Sequence, residues 1–294
     1  MSDSRVGIQI GATTRPDELP AVVAEAERLG YGEIWLAEDY FELGGISSAA
    51  VALATTERIP VGLGVVAALA RHPAVTAMEF ATLGATYPGR FMAGIGHGAT
   101  AWVRQMGLEP DSPIRSLRAA VSAIRRLMRG DQLTRDDGYV RLDHVRLLHR
   151  PDDPVPLYLG VHGPRSLRLS GELADGTLLG WFSSPGHVAG ARERIDEGRA
   201  RADRAKPQGL VALCFLSSSD DDPDTAKQGI ADWAAPLLIG MESSPLLTAS
   251  PEGLELLAHL KQASVGGTDG GILPDELLGH FVAAGDSTEC AATI

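Results

Sequence analysis

Short apolar runs recur along the first third of the chain, each followed by a stretch of helical periodicity. The runs begin near Val6, Glu33, Pro60 and Arg90, a repeat of about thirty residues. Leu19, Val22, Val23, Ala26 and Leu29 mark the helix after the first run, and Gly30 stops it. The second run, EIWLAED over 33–39, enters apolar and leaves acidic. An alanine-dense helix is predicted over 46–57. The third run, over 61–66, leads through Arg71 and His72 into a helix that Pro73 opens without wasting an amide donor. The fourth run, over 90–95, ends in Gly94-Ile95-Gly96-His97-Gly98. Apolar runs alternating with helices read as parallel strands buried on both faces and joined by right-handed crossovers.

Downstream the rhythm continues with interruptions. A helix is predicted over 112–129, with Leu117, Val121, Ile124, Leu127 and Met128 on one face. GYVRLDHVRLL over 138–148 alternates like an inserted hairpin. Strands are predicted over 156–161, 177–182 and 209–216, with helices over 165–174, from 184 to about 206, and over 224–239. Further helices are predicted over 252–262 and 273–281, with a glycine-rich turn over 265–271. No clear eighth strand and helix stand out. With 294 residues and no low-complexity linker, the expectation is one domain over 1–294. Its fold class is α/β, a TIM-like (β/α)8 barrel with insertions and an uncertain or missing last βα unit.

Composition narrows the function. A formal net charge of −12 argues against nucleic acid. No apolar run is long enough to span a membrane, and the N-terminus lacks a basic region followed by an apolar segment. Two cysteines give neither a disulfide framework nor zinc spacing. A cytoplasmic protein is therefore expected. The only lysines are Lys206, Lys227 and Lys261, none at a predicted strand end. That disfavours a Schiff-base barrel enzyme.

In a parallel barrel, chemistry sits at the C-terminal ends of the strands. That rule selects Asp39 and Tyr40, the segment from Val65 to Arg71, Gly96 to Gly98, Gly160 to Gly163, and Gly180 with Trp181. Asp39 is either a rim cap or a carboxylate facing a polar ring edge. His97 is either a solvated loop histidine or a proton carrier. His72 reads as a capping residue, and Arg71 as an ion-pair or anion partner. The glycines at 94, 96 and 98 do not match a dinucleotide fingerprint, whose third glycine falls one position later. They suit a tight strand-end turn or a flat ring lying on backbone. Gly160-Val161-His162-Gly163-Pro164 runs into a helix N-terminus, which favours an anion such as phosphate, with Arg165 and Arg168 adding charge. The histidines show no paired metal spacing.

Taken in order, EIWLAEDYF, GLGVVAALARHPAVTAMEFATLGATYPGRFMAGIGHG, GYVRLDHVRL and LYLGVHGPRSLRLSGELADGTLLGWF resemble the bacterial luciferase-like flavin family. The likeness is greater to its coenzyme F420-dependent reductases of the methylenetetrahydromethanopterin reductase type. The resemblance implies a TIM-like barrel with the deazaflavin at its C-terminal mouth. It also implies a non-prolyl cis peptide that falls at Gly64-Val65, under the ring. Asp39 matches the carboxylate near the ring, His97 and Gly98 match residues beside ring and ribityl chain, and Gly160, Val161, His162, Gly163 and Pro164 match the phosphate turn. Where the family's sugar-phosphate dehydrogenases carry histidine, tryptophan and glutamate, this chain has Tyr40, Gly44 and Ala99, so oxidation of glucose 6-phosphate is not expected. Relatives continue past a segment like FVAAGDSTECAATI with a last strand and helix.

The expected function is an F420-dependent oxidoreductase that reduces a C=N or C=C bond of a small organic substrate, with Tyr40 or His97 supplying a proton. The alternatives are an FMN-dependent monooxygenase and a non-catalytic flavin-binding protein. A homodimer is expected.

Overall fold

A computed structural model describes residues 6–265 and 274–294. In chain order the elements are β1 (Ile8–Ile10), α1 (Leu19–Arg28), β2 (Ile34–Leu36), α2 (Gly45–Thr55), β3 (Val61–Leu63), β4 (Val66–Ala67), α3 (Pro73–Thr86), β5 (Phe91–Gly96), α4 (Thr100–Gln105), α5 (Pro113–Met128), β6 (Leu133–Asp136) and β7 (Arg141–Val145). They continue with β8 (Leu157–Gly160), α6 (Pro164–Leu173), β9 (Gly176–Leu179), α7 (Pro185–Arg201), β10 (Gly209–Ala212), β11 (Phe215–Ser218), α8 (Pro223–Gly240), α9 (Pro245–Thr248), α10 (Pro251–Val265), α11 (Asp275–Leu278), β12 (Val282–Gly285) and α12 (Ser287–Thr293). The principal sheet runs β1-β2-β3-β5-β8-β9-β10, with β4 beside the end of β5. The residues group into two compact units. One holds Met1–Val161, Leu169–Leu178 and Lys206–Gly209; the other holds His162–Arg168, Leu179–Ala205 and Leu210–Ile294.

In the first unit the strands pair in parallel, Trp35 opposite Gly62, Gly62 opposite Met92, and Gly94 opposite Tyr158. Every residue of β2, β3 and β5 is buried, as expected of strands covered on both faces. The third apolar run is one strand in the sequence but two in the structure. It breaks at a cis peptide between Gly64 and Val65, where the resemblance places it. His72 caps α3 by accepting from Ala74 N through Nδ1 at 3.2 Å, and Pro73 takes the first helical position. Arg90 fastens the end of α2: its guanidinium donates to Thr56 O at 2.9 Å, Thr56 Oγ1 at 2.6 Å and Ile59 O at 3.3 Å. The carbonyl of Thr56, the C-cap of α2, would otherwise lack an intrahelical donor. The Glu27 carboxylate collects the backbone N–H groups of Glu57, Arg58 and Ile59.

The hairpin is displaced from its expected range. Its first strand is the polar LTRD of β6, and the Asp137 carboxylate builds the turn by accepting from Tyr139 N and Val140 N. Helix α4 is too short to leave a periodic trace.

The second unit packs Phe182, Ile230, Ala234, Leu238, Leu247, Leu256, Phe281 and Val282 into its own core. The single strand expected over 209–216 divides into β10 and β11. The helix expected to run to about 206 ends at Arg201, just before Asp203 takes a left-handed φ of 51°. The helix expected over 273–281 is a single turn, Asp275–Leu278, within its described part. The turn expected over 265–271 falls outside the described residues from 266 onward. The segment VAAGDSTECAAT forms a strand and a helix, but the strand lies in a separate two-stranded sheet and adds no eighth strand to the path of the principal one. β12 pairs in parallel with β11, Phe215 opposite Val282. Asp286 then opens α12 with a reciprocal capping box to Glu289. Four small apolar residues carry little strand signal, which is why the sequence hides β12.

Candidate functional site

In the first unit the exit of β2 is acidic and largely paired. The Glu38 carboxylate receives both Arg71 terminal nitrogens at 2.7 Å and Gly45 N at 2.9 Å, and its side chain is only 4% exposed. This two-pronged contact is the strong form of an ion pair. Arg71 is therefore the partner of Glu38, in a partly buried pair rather than a surface one. Asp39 is half-buried with no side-chain hydrogen bond or ion pair among the described residues. Burial raises its pKa, and the neighbouring Glu42 and Glu38 carboxylates add to the effect.

Tyr40 lies against Trp102 of α4, ring centroids 5.9 Å apart. Its hydroxyl is shielded from water and has no hydrogen-bond partner among the described residues. Burial raises its pKa, Glu38 adds to this and Arg71 opposes it. The group is thus a neutral phenol across the physiological range.

The next strand exits explain the glycines. A Cβ on Gly96 would stand 2.7 Å from Val65 Cγ2 and 3.0 Å from Gly160 O; one on Gly160 would stand 2.9 Å from both Val65 methyls. Gly96 and Gly160 are directly paired on β5 and β8. The glycines therefore make room for Val65, which spreads across two strand ends. Gly98 has φ 78°, and a Cβ there would meet Ala67 at 2.7 Å and Tyr40 Oη at 3.5 Å. Tyr40, Val65, Gly96, Gly98 and Gly160 thus share one neighbourhood, with Asp39 and His97 beside them in the chain. Burial lowers the His97 pKa, so the imidazole is neutral at pH 7. The Val161 side chain is buried, with only 1% exposed, and its N–H donates to Leu178 O at 3.3 Å. Its side chain faces the core rather than a ligand.

In the second unit, His162 Nδ1 accepts from Gly180 N at 3.3 Å. A Cβ on Gly163 would meet only Pro245 Cγ, at an ordinary 3.7 Å. Pro164 begins α6, and Leu167 N donates to Gly163 O at 2.9 Å. Arg165 is exposed and has no ion-pair partner among the described residues, whereas Arg168 is engaged by Glu197. The positive charge at this helix start is therefore Arg165. Trp181 packs on Phe215 at 5.0 Å, with buried Phe182 beneath, and joins the edge of this unit's core.

Two participants escaped the sequence reading. Glu38 was visible as the first acid of the pair that closes EIWLAED. Trp102 left no signal beyond its rarity, one of four tryptophans in a chain with 5% aromatic residues. Among the described residues, no group of three His, Cys, Asp or Glu could hold a metal, and no helix is long and apolar enough to cross a membrane.

Parallel strands alternating with helices, with polar and glycine residues gathered at the strand exits, define an α/β protein of the barrel class with a strand-end site. The chain belongs to the luciferase-like monooxygenase family, whose sequence profile matches residues 1–294. It is 27% identical over 275 residues to the 5,10-methylenetetrahydromethanopterin reductase of Methanolobus tindarius, covering 92% of this chain and 83% of that one. It is 32% identical over 240 residues to the F420-dependent glucose-6-phosphate dehydrogenase of Microbacterium testaceum, covering 77% and 71%. Its fold is that of an F420-dependent secondary alcohol dehydrogenase solved with an F420-acetone adduct. The TM-score is 0.78 at 23% identity, over 98% of this chain and 88% of the other.

Proposed function

We propose that this protein is an F420-dependent oxidoreductase that moves a hydride between the deazaflavin and a small organic substrate, reducing a C=N or C=C bond. The observation that carries the reading is the strand-end floor: Val65 spread across Gly96 and Gly160, with Gly98 and the unpartnered Tyr40 hydroxyl beside it. The relatives named F420-dependent support the choice of cofactor. F420, when bound, supplies a two-electron hydride donor or acceptor.

The chain's own residues do the rest. Gly64 and Val65 would support the ring, His97 and Gly98 would border it, and the Asp39 carboxylate would face a polar ring edge. The turn formed by Gly160, Val161, His162, Gly163 and Pro164 would take the phosphate, since the start of a helix favours an anion; Pro164 itself has no N–H, and that of Val161 goes to Leu178 O. A side chain at Gly163 would meet only Pro245 Cγ at 3.7 Å, and Arg165 has no ion-pair partner among the described residues, so the residues present fit the group. Tyr40 holds the proton that a reduced substrate must receive; neutral His97 orients the substrate or relays that proton. The same reading has the chain act as one functional domain, in the cytoplasm, as a homodimer that light scattering would reveal.

The test is anaerobic reoxidation of reduced F420 by a panel of cyclic imines and enones, followed through the visible absorbance of the deazaflavin. Turnover with at least one acceptor is expected. Reduced F420 left untouched by the whole panel would overturn the assignment.

A further inference from the structure

The exit of β2 holds more aromatic surface than the proton step requires. Phe41 is 73% exposed and takes a φ of 73°. A bulky residue in the left-handed region is rare, and such outliers gather at ligand sites. Trp102 reaches the same place from α4, its ring 5.9 Å from that of Tyr40, and the Phe41 ring is 6.1 Å from that of Tyr40. The Tyr40 hydroxyl is shielded from water and has no acceptor among the described residues. A buried donor left unmatched is costly, so its partner is to be sought in a ligand.

The charges around it restrict that ligand. Glu38, Asp39 and Glu42 gather at the exit, and Arg71 is taken up by Glu38. An anionic substrate would meet these carboxylates with no free positive charge shown beside them among the described residues.

We propose that Phe41 and Trp102 determine specificity, gripping a flat, uncharged ring compound whose single acceptor oxygen or nitrogen receives the Tyr40 hydroxyl. The inference rests on the F420 reading, since the compound gripped is the one reduced. It also separates this chain from a phosphorylated-sugar enzyme by chemistry: the site offers rings and one donor, where a phosphate ester needs free cations.

The test uses the full chain, alone and saturated with F420, titrated calorimetrically with indanone, indane and indane carboxylate. Indanone is expected to bind about fivefold more tightly than indane, the worth of one neutral hydrogen bond. Indane carboxylate should bind about tenfold less tightly than indanone. Tyr40→Phe should bring indanone to the level of indane and leave indane unchanged. Trp102→Leu and Phe41→Ala should weaken both neutral ligands about fivefold, while Trp102→Phe, the variant least able to disturb folding, retains most of the affinity. Equal binding of indanone and indane, preference for the carboxylate, or indifference to both Trp102 variants would overturn the inference. Quenching of F420 fluorescence in the same samples keeps the two proposals apart. Bound F420 with no indanone preference sinks only this inference. An indanone preference without F420 binding sinks the cofactor reading instead.

Discussion

Replacing Gly96 by alanine tests whether Val65 really occupies the strand ends. The new Cβ would lie 2.7 Å from Val65 Cγ2 and 3.0 Å from Gly160 O. Neither neighbour has an easy retreat. Valine is stiff about χ1, and its methyls already stand 2.9 Å from where a Cβ on Gly160 would be. Gly160 is held to Gly96 by the β5–β8 ladder, and β5 is buried throughout. Overpacking of this kind costs about 1–3 kcal/mol, and we expect about 2 kcal/mol here. In a Val65→Ala background the methyl clash is gone and only the Gly160 O contact remains. The two changes should then show a favourable coupling of about 1–2 kcal/mol in a double-mutant cycle. Urea unfolding followed by far-ultraviolet circular dichroism gives all four stabilities. F420 affinity, measured alongside, should fall in Gly96→Ala and recover in part in the double variant. A neutral Gly96→Ala, or effects that add to within about 0.5 kcal/mol, would refute the packing on which the proposed ring floor depends.

Tyr40→Phe should lower kcat about 100-fold while leaving F420 affinity intact, as expected for loss of a general acid. Because burial raises the Tyr40 pKa above its ordinary 10.0, the donor keeps its proton through neutral pH, and wild-type kcat should show no tyrosine-dependent fall until the pH exceeds 10.0. Burial works to raise the Glu27 carboxyl, but three backbone N–H donors outweigh it and hold the pKa at about 2, against an ordinary 4.5. Its contribution to stability is therefore complete above 4.5 and lost as the pH falls from there through about 2. Glu27→Gln should cost about 1 kcal/mol at neutral pH, a value discounted for solvent screening, and the gap to wild type in urea midpoint should close across that acid window. Asp286→Ala removes the α12 cap and should cost about 1 kcal/mol, with faster hydrogen exchange at the Glu289 and Cys290 amides as its signature.

Much of this architecture could be read from the chain alone. The βα repeat, the opening of α3 by His72 and Pro73, and the acidic exit of β2 follow from local pattern, because apolar run, cap and breaker are all short-range signals. The resemblance supplied what pattern lacks, above all the cis linkage at Gly64-Val65. What stayed hidden is long-range. Arg71 meets Glu38 across 33 positions, and Val65 claims the space over Gly96 and Gly160 only once three strands are assembled. Local sequence offers Gly94, Gly96 and Gly98 as a loop; packing shows that Gly96 is there to admit a neighbour's methyl groups. β6 was missed because LTRD is polar, and β12 because VAAG is small. Arg168 adds positive charge near the start of α6 in the sequence, and only the fold brings Glu197 to it.

The central claim is that these strand ends bind the deazaflavin. Equilibrium titration of the purified full chain with oxidised F420 and, separately, with FMN addresses it directly, each followed by quenching of the cofactor's own fluorescence. Saturable binding of F420, with FMN weaker by about tenfold or more, is the predicted result. Tight FMN binding with no affinity for F420 would contradict it.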